Sequence, residues 1–154
     1  MSIGQKYAII LPAGCGKSTL AKKYIRLYDI DSFLSDSQRK ELQELWYKTK
    51  DTDNWIHYEQ TEYQMIYKQI EDLPSGSVVL LHSKSKAKLY NLFVIGFYKT
   101  SKRVIEEVAK QRLLHSQFSY ECTLHNWESS IGATILETHR DIETQICLLL
   151  QKYW

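Results

Sequence analysis

The residues best suited to chemistry form a glycine-rich segment near the start of the chain: Leu11, Pro12, Ala13, Gly14, Cys15, Gly16, Lys17, Ser18 and Thr19. Glycines let a backbone turn its N–H groups inward around an anion such as phosphate. Gly14 and Gly16 would permit the close approach and the positive φ angles of such a loop. Lys17 would reach the outer phosphates, and the hydroxyl of Ser18 would bind Mg²⁺. The segment therefore predicts a phosphate-binding loop, with residues 13–19 as its contacts.

Two predicted elements flank this loop and would position it. Residues 7–11 form a short apolar run that is typical of a buried strand, and Leu20, Tyr24 and Leu27 recur at helical spacing. A helix over about 18–27 would add free N–H groups and the positive end of its dipole. Strand, glycine loop and helix in this order favour the phosphates of a nucleotide as the bound anion. The alternative is a glycine-rich turn that contains a lysine by coincidence.

Two aspartates occur in the second predicted strand, over residues 26–33. Asp29 and Asp31 alternate along the strand, so they would share one face and meet at its tip. One of them, with Asp31 preferred, would orient a molecule that accepts phosphate or would take its proton, and the other, with Asp29 preferred, would hold Mg²⁺ through water. Alternatively, Asp31 or Ser32 only caps a helix. Because Ser35 already offers a cap for the next helix, the two aspartates are left free for a site.

The rest of the chain alternates between predicted helices and strands. Apolar periodicity, caps and breakers predict helices over 36–48, 55–72 and 84–91, strands over 77–83 and 92–98, and a helix capped by Thr100 or Ser101. Residues 111–126 are predicted to be irregular and lid-like. From Trp127 to Tyr153 apolar residues recur in steps of four and three, which predicts one long C-terminal helix. No clear fifth strand follows the lid-like segment.

Strands separated by helices predict a three-layer α/β fold, in which a short parallel sheet of four or five strands is flanked by helices. Residues 1–154 would form a single domain. Ligands bind such sheets beyond the C-terminal strand ends. The four predicted strands end in the phosphate loop, in Asp29 and Asp31, in His82 and Lys84, and in Tyr98 and Lys99. His82 and Lys84 are therefore candidate acceptor contacts, although Lys84, Lys86 and Lys88 equally suit a solvated helix start.

The composition is that of an ordinary globular protein. Hydrophobic residues make up 44% and charged residues 25%, and the net charge of +2 is too small to indicate nucleic acid by itself. No apolar run approaches membrane-spanning length, and residues 1–6 lack the apolar core of a signal peptide. Three scattered cysteines do not suggest a disulfide framework. These features predict a reduced, cytoplasmic protein without a membrane partner.

The loop resembles the Walker A motif of P-loop NTPases, G-x-x-x-x-G-K-[ST], with Leu11 in place of its first glycine. Asp29 and Asp31 are similar to the Asp-x-Asp that follows the second strand in shikimate-type kinases. As architecture, the resemblance covers most of the chain. It implies the P-loop kinase branch, which includes nucleoside, nucleotide, shikimate-type and polynucleotide 5′-kinases.

For individual residues, the resemblance implies a catalytic Lys17 that acts on ATP or another nucleoside triphosphate, with Mg²⁺ as cofactor. Ser18 and Asp29 would hold the metal. In that branch a basic helix and lid after the fourth strand supply arginines to the phosphates, and Arg103 and Arg112 match these by position along the chain.

The third strand departs from the pattern of motor NTPases, because His82 and Ser83 stand where a Walker B carboxylate is expected. This argues against a motor and favours transfer of the γ-phosphoryl group to a small hydroxyl or phosphate acceptor. A polynucleotide 5′-kinase that holds single-stranded nucleic acid is a variant of this hypothesis. The rival is a nucleotide-binding NTPase or interaction module with weak or no catalysis, whose C-terminal helix forms a partner or oligomer surface.

Overall fold

A parallel five-stranded sheet lies at the centre of the computed structural model, which describes residues 4–153. Its strands are β1 (Tyr7–Ile10), β2 (Leu27–Asp29), β3 (Val78–Leu81), β4 (Phe93–Thr100) and β5 (Thr134–Leu136). They lie in the order β2-β3-β1-β4-β5, and every neighbouring pair is parallel. β1 lies between β3 and β4. The chain comes to β3 from β2 on one side of β1 and then crosses over to β4 on the other side. Such a change of direction leaves a crevice at the C-terminal end of β1.

Helices cover both faces of this sheet. Within residues 4–153 they are α1 (Lys17–Lys23), α2 (Asp36–Thr49), α3 (Trp55–Glu71), α4 (Lys84–Leu89), α5 (Lys102–Leu113), α6 (Gln117–Ser129) and α7 (His139–Tyr153). Ile9 packs in one core with residues of α1, α5 and α7, whereas Ile10 packs in a second core with residues of α2, α3 and α4. The predicted three-layer α/β fold is therefore confirmed. None of these helices has the length and the apolar character needed to cross a bilayer.

Helix starts follow signals that the sequence carries. Ser35 and Gln38 form a capping box on α2: the Ser35 hydroxyl accepts the Gln38 N–H at 3.2 Å, and the Gln38 side chain accepts the Ser35 N–H at 2.9 Å. The Ser101 hydroxyl accepts the N–H of Val104 at 3.4 Å and caps α5. The predicted starts of α2 and α5 are confirmed, and α3 ends one residue before its predicted bound.

The loop helix and the second strand are both shorter than predicted. α1 ends at Lys23 because Tyr24 is extended, with φ −119° and ψ 121°. β2 ends at Asp29, whose carboxylate accepts the N–H of Asp31 at 3.1 Å, and Ile30–Phe33 forms a 3₁₀ turn. The prediction of a strand to residue 33 with both aspartates on one face is therefore wrong, since Asp29 caps the turn that contains Asp31.

The C-terminal third differs most from its prediction. Most of residues 111–126, expected to be irregular, is helical, because α5 runs to Leu113 and α6 starts after the cap Ser116. The single helix expected from Trp127 is interrupted at Gly132, where φ is +88°, and the chain then adds β5 to β4. The fifth strand thus exists, and the C-terminal helix is confirmed only from His139. The apolar residues that recur in steps of four and three belong to two separate helices, α6 and α7, and to the segment between them.

Candidate functional site

A cleft of about 920 Å³ lies beyond the C-terminal ends of β1, β2 and β3. Seven of the residues singled out from the sequence line it: Ala13, Ser18, Asp29, Asp31, His82, Lys84 and Arg112. Arg103 is not among the lining residues, and its exposed side chain lies 3.6 Å from Glu107 on the next turn of α5. The structure therefore brings these seven residues to one cavity. Its lining does not include Arg103 or the other predicted loop residues, Gly14, Cys15, Gly16, Lys17 and Thr19.

The phosphate loop has the backbone shape that its glycines suggested. Gly14 and Gly16 have φ angles of +86° and +100°, both in the left-handed region. Leu11, which replaces the first glycine of the motif, is fully buried in the core and continues the sheet by donating its N–H to Leu81 at 2.9 Å. It is not among the residues with positive φ. Since the loop turns after this position, no glycine is needed there.

Lys17 is a buried cation at the inner end of this loop. The residue is only 6% exposed. Within residues 4–153, its ammonium has no direct hydrogen-bond or ion-pair partner. A cation with little surrounding water and no direct partner favours the binding of an anion beside it. An anion bound in the loop would supply a partner for the Lys17 ammonium. The next residue, Ser18, is exposed and lines the cleft.

The two aspartates have different electrostatic environments. Burial, followed by the charge of Asp31, raises the pKa of Asp29. Burial also acts to raise the pKa of Asp31, but His82, Lys17 and Lys86 outweigh it and hold that pKa below the usual value. Asp31 is also the more accessible of the two, because its side chain is 43% exposed at the cleft. Asp31 is therefore the carboxylate that remains ionised where a molecule in the cleft can reach it.

His82 connects the end of β3 to Asp31. Its Nε2 lies 3.3 Å from Oδ2 of Asp31. Burial, followed by the charge of Lys17, lowers the pKa of His82 to about 4, although Asp31 opposes the shift. The imidazole is therefore neutral at pH 7 and acts on Asp31 as a hydrogen-bond donor. The positive charge near Asp31 comes from Lys17 and Lys86.

A buried polar cluster behind His82 was not predicted. The Lys86 ammonium donates to Glu62 at 3.1 Å, and Glu59 accepts hydrogen bonds from Ser83 at 3.2 Å and Ser85 at 2.7 Å. The structure thus separates the three lysines of α4, because Lys86 is 3% exposed while the other two are exposed. A sequence signal was available: Glu62 lies in the apolar stripe of α3, where a carboxylate needs a buried partner.

Aromatic side chains form the opposite wall of the cleft. The Trp46 ring meets Phe118 and His125 edge-on, with centroids at 5.3 and 5.5 Å, and Trp55 stacks on Tyr58 at 4.5 Å. All five residues line the cavity. Phe118 and His125 were missed because α6 was expected to be irregular.

One contact holds the glycine loop from outside the cleft, and a second lies nearby between α5 and α6. Nε2 of His139, the first residue of α7, lies 2.7 Å from the carbonyl oxygen of Gly14. Arg112 of α5 donates to the hydroxyl of Thr123 in α6 at 3.0 Å, and it also lines the cleft. Arg112 is therefore the arginine placed to meet a ligand that extends from the loop.

The donor atoms at the loop suit Mg²⁺. The hydroxyl of Ser18 and the carboxylate of Asp29 are hard oxygen donors, which this ion prefers. Within residues 4–153 no group of three His, Cys, Asp or Glu side chains could hold a metal by itself. A metal bound here would therefore take further oxygen ligands from phosphate or water.

No model of a protein family, no curated protein and no solved structure matches the chain. The case for a function therefore rests on the cleft. One half is lined by Ala13 and Ser18 of the glycine loop, which also carries the mostly buried Lys17, and the other half is aromatic. An ionised carboxylate, Asp31, lines the same cleft.

Proposed function

We propose that the protein is an ATP-dependent phosphotransferase, which moves the γ-phosphoryl group to a small hydroxyl or phosphate acceptor. The observation that carries this proposal is Lys17: it is mostly buried at the end of the glycine loop, has no direct partner, and lies close enough to Asp31 for its charge to lower the pKa of that carboxyl. Phosphoryl transfer depends mainly on neutralising phosphate charge and on holding the two reactants in line. A cationic loop beside a carboxylate meets both requirements.

Each residue of the cleft then has a role. The loop N–H groups and Lys17 hold the phosphates, and Arg112 approaches them from α5. Ser18 and Asp29 would hold Mg²⁺, which supplies positive charge to the phosphates when bound. Asp31 orients the acceptor hydroxyl and takes its proton, while His82 keeps the carboxylate in position. A phosphate acceptor, which brings no proton at neutral pH, would need only the orienting part of this role.

The aromatic wall favours an acceptor that carries a flat ring. Trp55 and Tyr58 present a stacked pair to the cavity, and Phe118 faces it from α6. Ring stacking adds about 0.5 to 1.5 kcal/mol beyond the burial of apolar surface. Among the acceptors of the kinases that the loop motif resembles, nucleosides and nucleotides fit this wall better than an aliphatic acid does.

The experiment compares Lys17→Ala and Asp31→Asn with the wild type. Calorimetric titration with ATP and GTP, with and without Mg²⁺, measures binding, and an acceptor screen with labelled ATP measures transfer. We expect Lys17→Ala to lose nucleotide binding, while Asp31→Asn keeps ATP affinity and loses transfer. Lys22→Ala, on the exposed side of α1, is the control for removing a lysine from the same helix. Full turnover by Asp31→Asn would remove the role of this carboxylate.

A nucleotide-binding module with weak or no catalysis is the second candidate. It is favoured by the neutral His82 at the end of β3, where a hydrolysing P-loop protein would carry a carboxylate. The exposed Ile135 on the edge strand β5 and Leu148 on α7 would then contribute to a partner surface. Nucleotide binding without transfer, together with a nucleotide-dependent change in mass by light scattering, would support this alternative.

A further inference from the structure

Five polar side chains form a continuous series of contacts that leads inward from the cleft. Oδ2 of Asp31 lies 3.3 Å from Nε2 of His82, and Nδ1 of His82 lies 3.2 Å from Nζ of Lys86. The same ammonium donates to Oε2 of Glu62 at 3.1 Å. The second Glu62 oxygen accepts a hydrogen bond from the hydroxyl of Tyr90 at 3.4 Å. The chain thus links the 3₁₀ turn, β3, α4 and α3.

The order of donors and acceptors along this chain is fixed by Lys86. An ammonium group has three donors and no acceptor, so Nδ1 of His82 must accept from it. A neutral imidazole that accepts at Nδ1 carries its proton on Nε2. This nitrogen faces Asp31. The tautomer that can donate to the carboxylate is therefore the one that Lys86 selects.

The ion pair behind His82 is difficult to explain by stability alone. The side chains of Lys86 and Glu62 are 4% and 2% exposed, so both charges have lost most of their contact with water. Replacing such a pair by well-packed apolar residues is often neutral or stabilising. Glu62 also belongs to α3, whose first turns carry the aromatic residues Trp55 and Tyr58 of the cleft. A role in the site accounts for a charge that packing does not require.

We propose that Lys86 is a positioning residue: held by Glu62, it fixes the tautomer of His82 and thereby aims the Asp31 carboxylate at the acceptor. This proposal rests on the proposed phosphotransferase function. Lys86 does not touch substrate in this scheme. Its removal should lower kcat and leave the KM for ATP and for the acceptor nearly unchanged.

The first test is the tautomer in the wild type. Long-range ¹H–¹⁵N NMR spectra of protein labelled at histidine distinguish protonated from unprotonated ring nitrogens, and the signal missing in His82→Gln assigns His82. We expect Nε2 protonated and Nδ1 unprotonated at pH 7. A proton on Nδ1, alone or together with one on Nε2, overturns the proposal. This measurement needs no variant of Lys86 and no turnover.

The second test exchanges the two charges in Glu62→Lys/Lys86→Glu. The buried pair is kept, but a carboxylate now faces Nδ1 of His82. Because a carboxylate can only accept a hydrogen bond, it favours a proton on Nδ1. We expect Nδ1 to become protonated and kcat to fall about 10- to 100-fold, as is typical when a partner that orients an active-site group is lost. Lys68→Met, exposed on the far end of α3, is the control. Wild-type kcat in a folded exchange variant overturns the proposal.

The failure of this inference and the failure of the proposed function are distinguishable. Absence of phosphoryl transfer by the wild type overturns the function, and with it the positioning role. A wild type that transfers phosphate with the wrong His82 tautomer overturns only the role of Lys86.

Discussion

Gly14 lies directly against Ile105, the residue of α5 that packs on the phosphate loop. A Cβ at Gly14 would come within 2.9 Å of Cδ1 of Ile105, and within 3.1 Å of a methyl group of Thr123 in α6. The same glycine has φ +86°. It is therefore required for its conformation and for the space it leaves. The shape of the loop depends on α5 and α6 as well as on its own sequence.

Replacing Gly14 by alanine is expected to destabilise the protein more than Gly132→Ala does. Both glycines have positive φ, where alanine costs about 1 to 2 kcal/mol. Only Gly14 has atoms that a Cβ would strike, and such overpacking costs about 1 to 3 kcal/mol more. Urea unfolding of both variants measures the difference. Equal losses of stability would contradict the packing of α5 and α6 on the loop.

The features that the sequence predicted are those with local signals. The loop was found because glycines, Lys17 and an apolar run occur within about ten residues, and the strands because parallel strands are continuously apolar. The starts of α2 and α5 were found because Ser35 and Ser101 cap them through contacts three residues away. Such signals do not depend on the rest of the fold.

The features that were missed depend on contacts between distant parts of the chain. Lys86 became a buried ion only because Glu62, 24 residues earlier, faces it from α3. β5 has three residues and exists because β4 offers it an edge, so periodicity alone favoured a helix through Gly132. Asp29 turned out to be a cap because the strand ends there, which no apolar pattern could locate. Arg103 and Arg112 were indistinguishable until α5 was placed against the cleft.

His82 is expected to make the stability depend on pH between about 4 and 6.5. Its pKa is about 4 in the folded protein, whereas unfolded histidine has a pKa of about 6.5. In this range the unfolded chain binds more protons, so stability falls as the pH is lowered. The difference corresponds to about 3 kcal/mol between pH 7 and pH 4. Urea unfolding at several pH values should show a smaller decrease for His82→Gln.

The control for this measurement is His57→Gln, because His57 is exposed on α3. It should keep the pH dependence of the wild type. If the His82 and His57 variants show the same dependence, the neutral buried state of His82 is wrong.

Trp55→Ala is expected to weaken binding of a flat acceptor. The ring stacks on Tyr58 at 4.5 Å and lines the cleft, so its loss removes a stacking surface as well as buried area. We expect the KM for the acceptor to rise about tenfold, in line with stacking and burial of about 1.4 kcal/mol, while ATP affinity is unchanged. Tyr67→Ala, on the same helix but outside the cleft, serves for comparison. An acceptor KM that responds equally to both changes would show that the aromatic wall does not bind the acceptor.

Arg112→Met is expected to lower phosphoryl transfer far more than Arg103→Met. Both arginines belong to α5, but only Arg112 lines the cleft, where it also donates to Thr123 at 3.0 Å. The Arg103 side chain is 71% exposed and lies near Glu107, as in an ordinary surface pair worth less than about 1 kcal/mol. Methionine keeps most of the length of either side chain and removes its charge.

Loss of a cation that contacts the transferred group lowers kcat about 10³-fold or more, whereas loss of a cation that only binds ground-state phosphate changes the KM for ATP. Steady-state kinetics with varied ATP separate these cases, and a larger effect at Arg103 would mean that α5 approaches the nucleotide from its other face.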